Sequence, residues 1–143
     1  MREMRGRFQM NSDAFMSLKV LVADDDEFSL KNIVMLLDKI GVKNIILAGN
    51  GEEALDKLTS SAEPIDLVIG DIEMPRMGGF ELIRRIRMGA VPKYATIPFL
   101  MLTGHSSEEN IREGRIHRIQ GFIVKPPSAE ILERSMTRAL KKG

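Results

Sequence analysis

The sequence predicts an α/β domain built on a doubly wound parallel sheet, and three observations predict it. Five short apolar runs alternate along the chain with five segments whose apolar residues recur at helical spacing. One run, Leu67-Val68-Ile69, is unbroken by polar residues, the pattern of a strand covered by helices on both faces. Four of the runs end in side chains capable of chemistry: Asp24-Asp25, Asp71, Thr103 and Lys125. A chain of 143 residues suits a single core, expected over residues 18–143 behind an N-terminal tail, residues 1–17.

The tail, Met1 to Ser17, holds Arg2, Arg5 and Arg7 among polar residues without apolar periodicity, so it reads as disordered. Leu18–Ala23 is a first strand, followed by a helix with Leu30, Ile33, Val34, Leu37 and Ile40 on one face and Gly41 as its stop. Asn44–Ala48 is the second strand, and Glu52–Leu58 the second helix. The third strand ends at Asp71. Pro75 and Gly78-Gly79 then mark a loop before a helix carrying Phe80, Leu82, Ile83 and Ile86, with Arg84, Arg85 and Arg87 expected in solvent. Phe99–Leu102 is the fourth strand, running into Thr103. Ser106 with Glu109 forms a capping-box pattern for the fourth helix, which Gly114 should weaken by roughly 1 kcal/mol relative to Ala. His117 falls on its surface. Gly121–Val124 is the fifth strand. Ser128 caps the last helix, with Leu132, Met136, Ala139 and Leu140 inward and Lys141 and Lys142 at its carboxyl end.

Bulk properties exclude several function classes. A net charge of +1 gives no electrostatic reason to expect nucleic acid or an anionic membrane as partner, and no apolar run is long enough to span a bilayer. With no cysteine there are no disulfides, zinc thiolates or thiol nucleophile, which fits a cytoplasmic protein.

Right-handed crossovers place all the carboxyl ends of a parallel sheet along one edge, where ligands bind. Asp24, Asp25, Asp71, Thr103 and Lys125 should therefore meet in one crevice. Carboxylates about 4 Å apart repel by about 4 kcal/mol at an effective dielectric near 20, so such a cluster calls for a cation. Oxygen ligands without His or Cys point to Mg2+. Lys125 can pair with an incoming anion and the Thr103 hydroxyl can donate to it. A carboxylate nucleophile, a metal, a Lys and a hydroxyl together suit phosphoryl transfer onto Asp71.

The motifs Val22-Ala23-Asp24-Asp25, Asp71-Ile72-Glu73-Met74-Pro75 with Gly78-Gly79, Leu102-Thr103-Gly104 and Val124-Lys125-Pro126 resemble the receiver domain of bacterial response regulators. The resemblance covers Leu18 to the carboxyl terminus. It implies a flavodoxin-like (βα)5 sheet of order 2-1-3-4-5. It also implies that Asp71 accepts a phosphoryl group from phosphohistidine on a sensor histidine kinase or histidine phosphotransfer protein. The domain would catalyse its own phosphorylation and dephosphorylation rather than turn over a separate substrate. Mg2+ would be held by Asp25, Asp71 and the Glu73 backbone carbonyl, and through water by Asp24. Thr103 and Phe122 would form the switch, and Lys125, before a cis bond to Pro126, would hold the phosphoryl oxygens. A downstream protein would read the face made by the fourth helix, fifth strand and fifth helix. Homodimerisation stays open.

Three positions depart from the family pattern. Gly78 replaces a common Asp, with no chemical cost expected; Pro127 replaces a common aromatic; and Phe122 lacks the hydroxyl of the usual Tyr. Glu73 and His105, each two residues beyond a site residue, are expected to tune phosphoryl lifetime. Two rival readings exist. Gly49-Asn50-Gly51-Glu52-Glu53-Ala54 fits a dinucleotide-binding turn, and Asp24 with Asp26 fits the Asp-x-Asp strand end of dehalogenase-type phosphatases. The first leaves Thr103 and Lys125 idle, and the second requires a Lys before the second acidic pair.

Overall fold

The computed structural model describes residues 15–105 and 107–141. Among them are strands β1 (Lys19–Ala23), β2 (Asn44–Ala48), β3 (Leu67–Asp71), β4 (Phe99–Thr103) and β5 (Gly121–Val124). They alternate with helices α1 (Glu27–Lys39), α2 (Gly51–Ser60), α3 (Gly79–Arg87), α4 (Glu108–Ile116) and α5 (Ala129–Lys141). All pairings are parallel and the strand order is β2-β1-β3-β4-β5, the flavodoxin-like order that the motifs imply.

Strand alternation divides the core. Val20 and Val22, Leu67 and Ile69, Leu100 and Leu102, and Ile123 pack with Ile33, Leu37, Leu132 and Met136 of α1 and α5. Leu21, Val68, Phe99 and Met101 pack on the other face with Ala54, Leu58, Leu82, Ile83 and Ile86 of α2 and α3. The same parity carries on to the strand ends. Asp24, Asp71 and Lys125 continue the rows that face α1 and α5, whereas Thr103 and Phe122 continue the Met101 row on the opposite side.

Helix starts follow local chemistry. Side chains of Asp26, Asn50, Ser107 and Ser128 accept from the amides of Ser29, Glu53, Asn110 and Ile131 at 2.8–3.1 Å. The cap of α4 is thus Ser107, one residue later than the capping-box expectation; Ser106, like Lys142 and residues 1–14 of the tail, lies outside the described residues. Helix α3 has Gly78 at its cap and no side-chain bond there. A Cβ at Gly78 would stand 2.4 Å from the Ile72 carbonyl oxygen, so the departure expected to be costless is one that this loop requires.

Other expectations are corrected by packing. Phe15, assigned to the tail, is buried against the α1–α5 core. Arg84 and Arg85 do reach solvent, paired with Glu81, but Arg87 is half-buried. Its guanidinium donates to the carbonyls of His117, Ala95 and Arg118 at 3.0–3.1 Å, bracing the carboxyl end of α4. Burial, with the Arg118 charge adding to it, pulls the Arg87 guanidinium down to about 10. His117 is not a plain surface residue: its side chain is mostly covered and lies 3.5 Å from Glu113. A short 3-10 turn, Pro92–Tyr94, buries the Tyr94 ring and aims its hydroxyl at the Ile65 amide, which donates to it at 2.9 Å.

Candidate functional site

Register brings the acidic residues together. Ala23 pairs with Gly70, so the next step along each strand sets Asp24 beside Asp71; Thr103 pairs with Val124, which puts Lys125 one step further. One carboxylate oxygen from each of Asp24, Asp25 and Asp71 lies within 4.8 Å of the others. The Lys125 ammonium reaches across the sheet to donate to Asp71 Oδ2 at 2.9 Å and to Asp24 Oδ2 at 3.4 Å. The Lys125–Pro126 peptide bond is cis, as the resemblance implies.

Burial differs sharply within the cluster. Asp24 is 1% exposed and Asp71 8%, while Asp25 faces solvent. Burial pushes the Asp71 carboxyl above the ordinary carboxylate range, and the Asp24 charge pushes the same way against the Lys125 hydrogen bond. For Lys125, burial acts downward, but its contacts with Asp71 and Asp24 outweigh it and hold the ammonium above its ordinary value. An oxygen-only set of three carboxylates this close together fits a hard divalent cation at this point.

The cluster opens into a cleft of about 730 Å3 lined by Asp25, Asp71, Glu73, Thr103, His105 and Lys125, among others. Glu73 and His105 are both exposed at its rim. Thr103 is buried at the strand end, and its hydroxyl donates to the His105 carbonyl while accepting from the His105 amide at 3.2 Å. In this conformation that hydroxyl is turned toward its own loop. Phe122 does not line the cleft; its ring meets Phe80 edge-on, with centroids 6.5 Å apart.

Two residues escaped the sequence reading. Asn110 lines the cleft from the first turn of α4, a placement that only the fold reveals. Ser29 donates its hydroxyl to Asp24 Oδ2 at 2.7 Å. Its position three residues after the capping Asp26 was the available signal.

Neither rival reading suits the geometry. In the Gly49–Ala54 turn, the Gly51 amide donates to the Met77 carbonyl, the Glu53 amide to Asn50 and the Gly49 amide to Glu53. Three backbone donors of that turn are therefore taken. Asp26 is committed to capping α1, so Asp24 and Asp26 do not form a catalytic acid pair.

Comparison with known proteins agrees with this geometry. The family model for the response regulator receiver domain matches residues 20–136. A chemotaxis protein CheY homolog of Campylobacter jejuni is 30% identical over 126 residues, covering 88% of this chain and 95% of that protein. The structure of Vibrio cholerae CheY4 superposes with a TM-score of 0.77 at 34% identity, over 86% of this chain and 98% of that one. CheY in the CheX–CheY complex of Borrelia burgdorferi with BeF3 and Mg2+ gives a TM-score of 0.77 at 27% identity, over 87% and 90% of the two chains. With the acid cluster, the bridging lysine, the sheet order and these relatives in agreement, the chain belongs to the response regulator receiver domain family.

Proposed function

We propose that Asp71 is the phosphoacceptor of this receiver domain, charged by a phosphohistidine on a histidine kinase or histidine phosphotransfer protein. The observation that carries the reading is the Lys125 ammonium 2.9 Å from Asp71, beside the Asp24–Asp25 pair. An Asp71 oxygen attacks the phosphorus, the P–N bond breaks as the P–O bond forms, and the imidazole leaves. Lys125 holds the phosphoryl oxygens. Asp25, Asp71 and the Glu73 backbone carbonyl would hold Mg2+, with Asp24 acting through water, and the ion supplies positive charge where negative charge gathers. Water later attacks the same phosphorus, releasing phosphate and returning the Asp71 carboxylate. The domain thereby promotes both its own phosphorylation and its own reset.

Thr103 then turns from His105 toward the phosphoryl group, and Phe122 fills the space it leaves; without a hydroxyl, Phe122 does this through packing alone. Exposed Ile111, Val124 and Ile131 on α4, β5 and α5 support that face as the surface read by a downstream protein. Glu73 and His105, at the rim of the cleft, set the lifetime of the acyl phosphate by controlling water approach. Slower or faster decay in Glu73→Ala and His105→Ala is expected; unchanged rates in both would remove that role.

Incubation with a small phosphodonor and Mg2+ should add a single phosphate, located at Asp71 by mass spectrometry and absent from Asp71→Asn. A phosphate on another residue, or none, would overturn the reading.

A further inference from the structure

The first turn of α1 is bound into the acid cluster by Ser29. Its backbone amide donates to the Asp26 side chain at 3.0 Å, which is the helix cap, and its hydroxyl donates to Asp24 Oδ2 at 2.7 Å. The Asp24 side chain is wholly buried. Its Oδ1 accepts from the Asp26 amide at 3.0 Å, and its Oδ2 has two donors: Ser29 and, more distantly, Lys125 at 3.4 Å. The two acidic residues thus compete for one ammonium, and Asp71 holds the shorter contact at 2.9 Å. Without the serine hydroxyl, Oδ2 would have Lys125 as its remaining donor. A buried carboxylate short of donors is costly, so it would draw the lysine toward itself and away from Asp71.

We propose that Ser29 is a positioning residue of the phosphoacceptor site: its hydroxyl fixes the Asp24 carboxylate for the cation and leaves Lys125 to Asp71. This rests on the reading of Asp24, Asp25 and Asp71 as a Mg2+ cluster.

The test is calorimetric titration of Mg2+ into the full chain and into Ser29→Ala and Ser29→Thr. Ser29→Ala should bind Mg2+ about tenfold more weakly, the low end for loss of an outer-shell partner. Its thermal midpoint should fall modestly, because the buried Asp24 carboxylate loses a donor, while the cap bond, made by the backbone amide, is kept. Ser29→Thr, which keeps the hydroxyl, should bind as the wild type does. Wild-type affinity in Ser29→Ala, or equal weakness in both variants, would overturn the proposal. If the wild type itself binds no Mg2+, the cluster reading falls and the proposal with it. Phosphorylation of Asp71 by acetyl phosphate at saturating Mg2+ separates the two halves. A several-fold slower rate in Ser29→Ala is expected, and an unchanged rate would overturn the assignment of Lys125.

Discussion

Helices α1 and α4 both follow strands that end in site residues, yet they are held very differently. Helix α1 buries Ile33, Leu36 and Leu37, is capped by Asp26, and is tied through Ser29 to the buried Asp24. Helix α4 buries a single residue, Gly114, and leaves Ile111 and Ile116 largely exposed. What holds it is polar and sparse: the Ser107 cap at one end and the Arg87 brace on the His117 and Arg118 carbonyls at the other. Elements with few buried apolar contacts open at low free energy. The side that assembles the acid cluster is therefore the more firmly packed, and the side that follows Thr103 is the one expected to open first.

The largest expected effect measures that contrast directly. Ile33→Ala should lower unfolding free energy by about 3 kcal/mol, as burial in a packed core requires. Ile116→Ala should stay within about 0.5 kcal/mol. Urea denaturation followed by circular dichroism compares the two, and similar values would erase the distinction.

Arg87→Ala should cost about 2 kcal/mol, since it takes the donor from two part-buried carbonyls and one exposed one. Arg87→Lys should not restore the loss, because an ammonium cannot match a planar fork aimed at three carbonyls on two segments. Hydrogen exchange should show the carboxyl end of α4 opening more readily in both variants while α1 keeps its protection.

A smaller effect sharpens the account of α4. A Cβ at Gly114 would stand 2.7 Å from the tips of both Ile119 and Phe122. The gain of about 1 kcal/mol in helix propensity should thus be outweighed in Gly114→Ala, leaving a net loss of roughly 1 kcal/mol. In a Phe122→Ala background the same change should become neutral or stabilising, and a double-mutant cycle reads the coupling. Additive effects would show that the ring does not rest on this glycine.

The smallest effect is pH-dependent and belongs to the more firmly packed side. Because burial holds the Asp71 carboxyl above its ordinary value of 3.8, the native state binds more protons than the unfolded chain in the window above it. Stability from this group is therefore lost as pH rises through the raised value. In EDTA, Asp71→Asn should gain stability over the wild type as pH goes from 4 to 7, and added Mg2+ should narrow the gap. A gap that shrinks with pH would reverse the sign.

The strands were legible because their signal is local: β2, β3 and β5 have the bounds that their apolar runs suggest, and β4 takes in Thr103. The cluster of Asp24, Asp25, Asp71 and Lys125 was legible because parallel topology converts strand ends into neighbours. The strand order came from the family motifs, since periodicity carries no information about which strand lies beside which. What remained hidden depends on approach by distant segments. Arg87 reads as solvated because its three carbonyl partners come from elsewhere in the chain. Gly114 reads as a flaw until Ile119 and Phe122 close on it, and Phe15 reads as tail because one aromatic sets no period. The cap at Ser107 differs by one residue from its expected place, as two adjacent serines compete for one role.

The Lys125–Asp24 contact joins residues 101 positions apart in sequence. During synthesis the first acidic pair emerges long before the lysine that completes the site. The acidic cluster of a nascent chain therefore stands without its lysine partner until the last strand has docked.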